Sequence, residues 1–223
     1  MDRNRRSILR GAALLGAVGA PGCLGVLDRN PNVTLPEPER RFDSSDVVYP
    51  AWGERIPDTT VHAPLDGTRV STSSVGEPSL ITFFYSYCQT VCPVLISTMR
   101  NVQTHSLNNG YGDGVRFLAV TFDPERDTRG RLEEYAEKMN ISTEDGNWSF
   151  LRPESKERAE DVVNGEFGVG FQRTHPEDMD RYMFTHTSLT LLVNADGYVE
   201  RAYTTQSPEA ERIVDDMERI RKA

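Results

Sequence analysis

Apolar positions along the chain predict six β-strands, all of them C-terminal to residue 58. Residues 61–70 indicate a hairpin, because Asp66-Gly67 at their centre favours a tight turn. Four further apolar runs are typical of buried strands and lie at 79–87, 115–122, 187–193 and 198–203. The last two flank the turn sequence NADG, which predicts a second hairpin.

Helical spacing and helix-end residues predict four helices after the first hairpin. They are expected over 93–107, from a cap at Asp127 or Thr128 to about Met139, over 155–164 and over 207–222. In the last helix, Ser207 is the expected cap, and Pro208 fits the first helical position because no helical partner is available to an N–H there.

The order of these elements is ββ, β-α-β-α, a helical insert and then ββα. A β-α-β unit makes its two strands parallel, and the closing hairpin adds antiparallel strands to the same sheet. The pattern therefore predicts an α/β protein with a thioredoxin-like fold, in which helices flank a mixed sheet. The first hairpin and the helical insert are additions to that fold.

The first 58 residues follow a different pattern. A twin arginine, Arg5-Arg6, precedes a Gly- and Ala-rich apolar run of about a dozen residues, shorter than the roughly 20 needed to cross a membrane. We interpret residues 1–22 as a Tat-type export signal. Prolines recur through residues 23–58, which we interpret as a flexible tether, and residues 59–223 are the predicted domain.

Cys23 directly follows the predicted export signal. The preceding Ala20-Pro21-Gly22 resembles a lipobox, although Ala20 stands where a larger aliphatic residue is usual. We predict that Cys23 is lipidated and holds the protein on the outer face of the cell membrane. Two acyl chains would hold it firmly, whereas one chain binds only marginally. The alternative is an unmodified cysteine near a conventional cleavage site.

The charge balance argues against nucleic-acid binding. The net charge is −9, and the predicted export signal holds four arginines and one aspartate, so the remainder stands near −12. A surface this acidic offers no basic patch for phosphates. Only three of the 25 basic residues are lysines, and an acidic, lysine-poor chain is typical of proteins that work in high salt. We therefore expect a halophilic source.

Cys88 and Cys92 carry the candidate chemistry of the domain. Cys88 is expected at a strand end and Cys92 in the first turn of the next helix, where unpaired N–H groups stabilise thiolates. We expect both thiols to ionise more readily than a free cysteine. Residues four apart on a helix have Cβ atoms roughly 5–6 Å apart, which suits two sulfurs that share a metal better than a disulfide. Disulfide chemistry and a purely structural pair remain open.

His186 is the expected third ligand. It lies in FTHTSLTLLV, at the entry to a buried strand that the predicted fold places beside the helix of the cysteines. Thioredoxin enzymes carry a proline in this loop, and Thr185-His186 takes its place here. Two cysteines and a histidine suit soft Cu(I), whereas zinc prefers a fourth ligand. His62, His105 and His175 are expected to be surface or structurally satisfied residues.

Three stretches of the chain resemble the Sco/SenC family in sequence, order and spacing. They are YSYCQTVCPV at 85–94, VTFDPERDT at 120–128 and MFTHTSLTLLVNADG at 183–197. The resemblance covers about residues 58–222. Gln89-Thr90-Val91 replaces the more usual acidic filler between the cysteines, and Tyr87 stands where threonine or phenylalanine is common. These departures leave the cysteines and His186 in place and bear on partner recognition.

The resemblance implies a copper-binding metallochaperone with a thioredoxin-like fold. Copper would be bound by Cys88, Cys92 and His186, and delivered to, or used to prepare, the dinuclear copper centre of a cytochrome oxidase. The implied partner is a copper-receiving oxidase subunit. Asp123 matches the acidic residue that the family carries after the central strand, and we expect it to tune or transiently contact the site. A turn or capping aspartate is the alternative.

The same cysteines allow a different function. A thiol–disulfide oxidoreductase that reduces partner cysteines would use Cys88 and Cys92 as a redox-active pair, and one protein could perform both roles. Only copper binding requires His186. A peroxidase of the peroxiredoxin type is disfavoured, because the chain lacks the Pro-x3-Thr/Ser-x2-Cys sequence around its reactive cysteine.

Overall fold

The computed structural model describes residues 30–39 and 44–222. The predicted export signal at 1–22 and the predicted lipidation site Cys23 lie outside these residues. Across the described residues, no helix combines the length and the apolar character needed to cross a bilayer.

The described residues form nine β-strands in three sheets. The strands are β1 Thr60–Ala63, β2 Thr68–Ser71, β3 Ser79–Phe84, β4 Arg116–Thr121, β5 Trp148–Leu151, β6 Phe171–Thr174, β7 Met183–His186, β8 Thr190–Val193 and β9 Val199–Tyr203. The central sheet has the order β5-β4-β3-β8-β9, and β1-β2 and β6-β7 form separate two-stranded sheets. Within the central sheet, β3, β4 and β5 run parallel, while β8 and β9 join antiparallel.

Four helices accompany the strands in the described residues. They are α1 Val91–Asn108, α2 Arg129–Met139, α3 Lys156–Ala159 and α4 Ala210–Arg221, and α3 continues as a π-helical stretch over Glu160–Glu166. Helix α1 contacts α4, α2 and β3. The helix that begins at the cysteines is therefore held by helices α2 and α4 and by the central sheet.

The core explains why the central strands are continuous apolar runs. All six residues of β3 are buried, as expected for a central strand whose two faces are both covered. Phe84 at its end packs on Tyr135 of α2 and Phe150 of β5, with ring centroids 5.6 and 5.5 Å away. The predicted mixed sheet flanked by helices, its parallel unit and its two hairpins are confirmed.

Three strands and two helix boundaries differ from the prediction. Strand β5 and the hairpin β6-β7 were not predicted, because each strand has only four residues and shows no clear period. Thr128, and not Asp127, caps α2 by accepting the Arg131 N–H. The expectation that Ser207 caps the last helix is wrong, since α4 begins at Ala210. The Pro208 carbonyl accepts from Thr98 of α1 at 3.2 Å, which ties this stretch to α1 ahead of α4.

Residues 30–39 and 44–58, within the range expected to be a flexible tether, lie against the domain. Thr34 and Leu35 donate their N–H groups to the buried Glu200 carboxylate of β9 at 2.8 Å each. Gly53 donates to the Val199 carbonyl at 2.9 Å, so the segment also satisfies the open edge of β9. In this described part the chain is packed, because Leu35 and Ile56 are buried in the core and the backbone of the segment bonds to the edge strand β9.

Candidate metal centre

Cys88 lies in the connection between β3 and α1, and Cys92 lies in the first turn of α1. Strand β3 ends at Phe84, so Cys88 follows a short turn rather than ending the strand, and its N–H donates to the Tyr85 carbonyl at 3.2 Å. Cys92 is the second residue of α1, and its N–H donates to the Cys88 sulfur at 3.4 Å. The Thr90 side chain makes no capping bond, so this sulfur takes up a donor that the helix start leaves unpaired.

A buried carboxylate holds the turn that carries Cys88. Asp127 accepts the Ser86 N–H at 3.2 Å, the Ser86 hydroxyl at 2.5 Å and the Thr121 hydroxyl. Arg131 donates in turn to the Ser86 hydroxyl at 2.8 Å and to the Ser86 carbonyl at 2.9 Å. Both the main chain and the side chain of Ser86 are thereby fixed two residues before Cys88.

His186 reaches the cysteines from the end of β7. Its Nδ1 lies 3.0 Å from the Thr187 carbonyl, and since a carbonyl can only accept, Nδ1 carries the proton. The free Nε2 lone pair points to the Cys92 sulfur at 3.3 Å. The imidazole packs on Phe122, with ring centroids 5.0 Å apart, so its plane is held by the core.

One ligand atom from each of Cys88, Cys92 and His186 lies within 4.8 Å of the others. In the described part of the chain this is the one group of histidine, cysteine or acidic side chains arranged in this way. Cys88 and Cys92 are buried free thiols and His186 is half-buried. The arrangement offers two sulfurs and one imidazole nitrogen to a single ion.

The two thiols differ in acidity. The pKa of Cys88 is lowered to about 3, mainly because the Cys92 thiol donates to its sulfur and further by the backbone N–H groups of Thr90 and Cys92. The pKa of Cys92 is raised, first by burial and then by the adjacent Cys88 sulfur. The expectation that both thiols ionise readily therefore holds for Cys88 and is wrong for Cys92, because burial disfavours the Cys92 thiolate and the neighbouring Cys88 thiolate repels it.

Asp123 lies beside the site rather than in it. Its carboxylate is buried and accepts from Arg126 Nε at 2.5 Å and from the Tyr182 hydroxyl at 2.8 Å. Among the described residues, none of its hydrogen bonds reaches a cysteine or His186. An influence of Asp123 on the site must therefore pass through the residues that it binds.

The other histidines lie away from the cysteines. His62 is on β1, and His105 on α1 bonds through Nδ1 to the Tyr111 hydroxyl at 2.6 Å. His175 is exposed in the loop of the β6-β7 hairpin, near Tyr182. These positions agree with the expectation that all three are surface or structurally satisfied residues.

Comparison with known proteins identifies the family. The SCO1/SenC family model matches residues 65–222, which is well over half of the chain and includes the cysteine pair and His186. The chain belongs to the SCO1/SenC family.

Two relatives give the extent of this SCO1/SenC likeness. The chain is 30% identical over 139 residues to the SCO1 protein homolog of Bacillus subtilis, covering 62% of this chain and 68% of that protein. It is 29% identical over 136 residues to an SCO2-like protein of Rickettsia conorii, covering 60% and 62% of the two chains. The chain thus spans less than two thirds of the Rickettsia protein.

Solved structures of the SCO1/SenC family share the fold. Arabidopsis thaliana ScoI with copper bound superposes with a TM-score of 0.58 at 21% identity, over 74% of this chain and 96% of that one. A lipoprotein of the family from Bacillus anthracis gives 0.60 at 23% identity, over 76% and 95%. BsSco, described as having a disulfide switch and as a member of a family of cytochrome c oxidase assembly proteins, gives 0.58 at 24%, over 79% and 97%. The fold is therefore thioredoxin-like, as predicted.

Two residues beside this SCO1/SenC site were missed by sequence reasoning. The sequence pattern indicates only a helix cap at Asp127, whereas its carboxylate binds Ser86 and Thr121. Tyr182 was not singled out at all. Its position four residues before His186 puts it on the same strand face, but that spacing is informative only once β7 is known.

Proposed function

We propose that this protein binds copper through Cys88, Cys92 and His186 and takes part in assembling the copper centre of a cytochrome oxidase. The observation that carries the proposal is the approach of His186 Nε2 to the Cys92 sulfur, at 3.3 Å. A histidine in this position supplies the third ligand that the cysteine pair alone does not provide.

The donor set fits copper chemically. Three ligands that bind one ion at roughly 2.0–2.3 Å lie about 4 Å from each other, close to the arrangement of these side chains. Thiolates select Cu(I), and imidazole is an accepted ligand for copper. A structural zinc site would ask for a fourth protein ligand, and the described residues supply three.

The individual residues have distinct tasks in loading. Cys88 is already a thiolate at neutral pH and offers the first sulfur. Cys92 must give up its proton as the ion binds, so copper uptake releases a proton. The hydrogen bond from Nδ1 of His186 to Thr187 keeps Nε2 free for the ion. Since His186 is only half-buried, a partner can reach the site from its side.

The relatives support the role in oxidase assembly. ScoI of Arabidopsis thaliana has been solved with copper bound, and BsSco is described within a family of cytochrome c oxidase assembly proteins. By family membership, we propose that a copper-receiving oxidase subunit is the partner of this chain. Copper is then cargo that the protein holds and passes on.

Removal of His186 tests the ligand assignment. Anaerobic competition with a chromophoric Cu(I) chelator should give one Cu(I) per chain for the wild type. His186→Ala should weaken binding at least about tenfold, because loss of a ligand costs no less than loss of an outer-shell partner. His62→Ala serves as the matched control, since His62 lies on β1, and should bind like the wild type.

The same variants separate copper binding from thiol–disulfide exchange. His186→Ala retains both cysteines, so reduction of a disulfide substrate should continue while copper affinity falls. Equal copper affinity in His186→Ala and the wild type would refute the ligand assignment. A wild type that reduces disulfides but binds no copper would favour the oxidoreductase alternative.

We further propose export and membrane anchoring. The Tat-type signal at 1–22 and lipidation of Cys23 would place the domain on the outer face of the cell membrane, and the Bacillus anthracis relative is described as a lipoprotein. Mass spectrometry of the mature protein should find a lipidated Cys23 at its N-terminus. An unmodified N-terminal residue other than Cys23 would exclude the anchor.

The acidic, lysine-poor composition supports a third proposal, adaptation to high salt. Salt at molar concentration screens the mutual repulsion of the carboxylates. The free energy of unfolding, measured by urea titration, should therefore rise from low to molar salt. A salt-independent value would contradict a halophilic origin.

A further inference from the structure

The hairpin β6-β7 brings His186 to the cysteines without being part of the central sheet. Alternate residues of a strand face the same side. Tyr182, just before β7, and Phe184 and His186 within it are spaced two residues apart and therefore share one face. Phe184 packs on Tyr85 and Phe122, with ring centroids 5.2 and 5.4 Å away. Side chains therefore hold this face of β7 against the domain.

Tyr182, immediately before β7, makes the densest set of these contacts. The guanidinium carbons of Arg126 and Arg173 lie 3.6 and 3.9 Å from the centre of its ring. Its hydroxyl donates to Asp123 at 2.8 Å, and Arg126 donates to its main-chain carbonyl at 2.8 Å. We call Asp123, Arg126, Arg173 and Tyr182 the Tyr182 clamp.

The Tyr182 clamp and the candidate ligand are mechanically connected. His186 lies four residue steps along the extended strand from Tyr182, a span of about 13 Å. Between them, Phe184 rests on the aromatic core and donates its N–H to the Tyr85 hydroxyl at 3.3 Å. A shift of the strand start is therefore passed along β7 to His186, which must stay close to Cys92 to complete the site.

We propose that Tyr182 is a positioning residue that sets how firmly His186 completes the metal centre. When the Tyr182 clamp is closed, all three ligands face one ion, and when it opens, the ion is left on the two cysteines alone. The clamp then regulates release of the cargo to the partner. This inference rests on the proposed copper-binding function.

Two substitutions at Tyr182 separate its contacts. Tyr182→Phe keeps the ring between its arginine neighbours and removes only the bond to Asp123, whereas Tyr182→Leu removes the ring as well. The matched control is Tyr198→Leu, because the Tyr198 ring also lies under a guanidinium, that of Arg55 at 5.8 Å, but at the β8-β9 turn. Each variant is also made in the His186→Ala background.

Copper release measures the positioning effect. Tyr182→Leu should speed transfer of Cu(I) to a chelator about tenfold, within the range for outer-shell residues, and shift the thiolate-to-Cu(II) absorption band of the oxidised form. Tyr182→Phe should have a smaller effect and Tyr198→Leu none. In the His186→Ala background, Tyr182→Leu should add no effect, because the ligand through which it acts is gone.

Hydrogen exchange of the metal-free protein tests the Tyr182 clamp independently of copper. Amides of β6 and β7 should exchange faster in Tyr182→Leu, while those of β3 and β4 keep their protection. Unchanged hairpin exchange, or an equal effect on copper release with and without His186, would overturn the inference.

If Tyr182→Leu does not fold, the comparison of Tyr182→Phe with the wild type decides in the same way. A wild type that binds no copper would defeat the proposed function, while the exchange result would still judge the clamp.

Discussion

Cys88 and Cys92 lie where β3 is joined to α1, Cys88 in the connection and Cys92 in the first helical turn, whereas His186 ends a strand of a separate two-stranded sheet. The cysteine side is fixed by main-chain pairing of β3 with two neighbours and by the buried Asp127. The histidine side is fixed by aromatic packing and by the Tyr182 clamp. The cysteines are thus carried by elements of the central sheet and its helix, whereas His186 is carried by a hairpin that side-chain contacts hold to the core.

This difference has a consequence for stability. Damage to the cysteine side should lower the stability of the whole domain, because its elements unfold together. Damage to the hairpin should first release the hairpin, since local segments can open with less free energy than the global transition. A site built in this way can loosen one ligand while the fold stays intact.

The largest expected effect is at Asp127. Asp127→Ala leaves the Ser86 N–H, the Ser86 hydroxyl and the Thr121 hydroxyl without their buried acceptor. At roughly 1–3 kcal/mol for each unpaired buried group, partly relieved by water, the free energy of unfolding should fall by about 4 kcal/mol. Urea denaturation measures this loss, with the exposed Asp113→Ala as control. A loss below about 1 kcal/mol would contradict the comparison, because the cysteine side would then not depend on its buried carboxylate.

The pH dependence of stability gives the next largest effect. Burial raises the pKa of Asp127 to about 6, above the ordinary value of 3.8. The folded state therefore holds this proton more tightly than the unfolded state, so its contribution is full below about pH 4 and is lost as pH rises through 6. The loss amounts to at most about 3 kcal/mol.

Asp127→Asn isolates that contribution. Asparagine does not titrate, so the difference in unfolding free energy between wild type and variant should change between pH 4 and 6 and become constant above about pH 7. Measurements on both proteins cancel the titration of all other groups. A difference that stays constant across this range would show that Asp127 has an ordinary pKa.

Sequence patterns predict the elements that carry the cysteines better than the hairpin that carries His186. The runs SLITFF and RFLAVT are six residues long and mostly apolar, so β3, β4 and the parallel unit that they form were predictable. Strands β6 and β7 have four residues each and mix polar with apolar positions, and their pairing follows from contacts far along the chain. The Sco/SenC resemblance pointed to His186, but no local pattern pointed to Tyr182 or to the element that holds it.

The acidity of Cys92 was unpredictable for a related reason. A helix start favours a thiolate at either cysteine when each is considered alone. Burial and the second sulfur decide between them, and both depend on how the turn 85–88 folds onto α1. Only the packed structure assigns the low pKa to Cys88 and the raised pKa to Cys92.

An intermediate effect on hydrogen exchange is expected from substituting one phenylalanine in the hairpin and one in the central sheet. Phe184→Leu removes aromatic contacts of the hairpin and should cost about 1 kcal/mol, mostly as faster hydrogen exchange in β6 and β7. Phe84→Leu removes the contacts of a buried ring at the end of β3 and should lower protection across the whole central sheet. Equal exchange profiles for the two variants would mean that the hairpin and the sheet open together.

The smallest effect is expected at the ion pair between Glu125 and Arg173, which also joins the hairpin to the domain. The Glu125 side chain is 51% exposed, and exposed pairs contribute at most about 1 kcal/mol. Glu125→Gln should therefore change the unfolding free energy by less than about 0.5 kcal/mol, and molar salt, which screens such pairs, should abolish even that change.

Arg173 would still stack on Tyr182 in this variant. Copper release should stay at the wild-type rate in both low and molar salt, because ring stacking and buried hydrogen bonds are screened far less than an exposed pair. A faster release that appears only in Glu125→Gln at low salt would place the control of His186 in the surface ion pair instead of the Tyr182 ring.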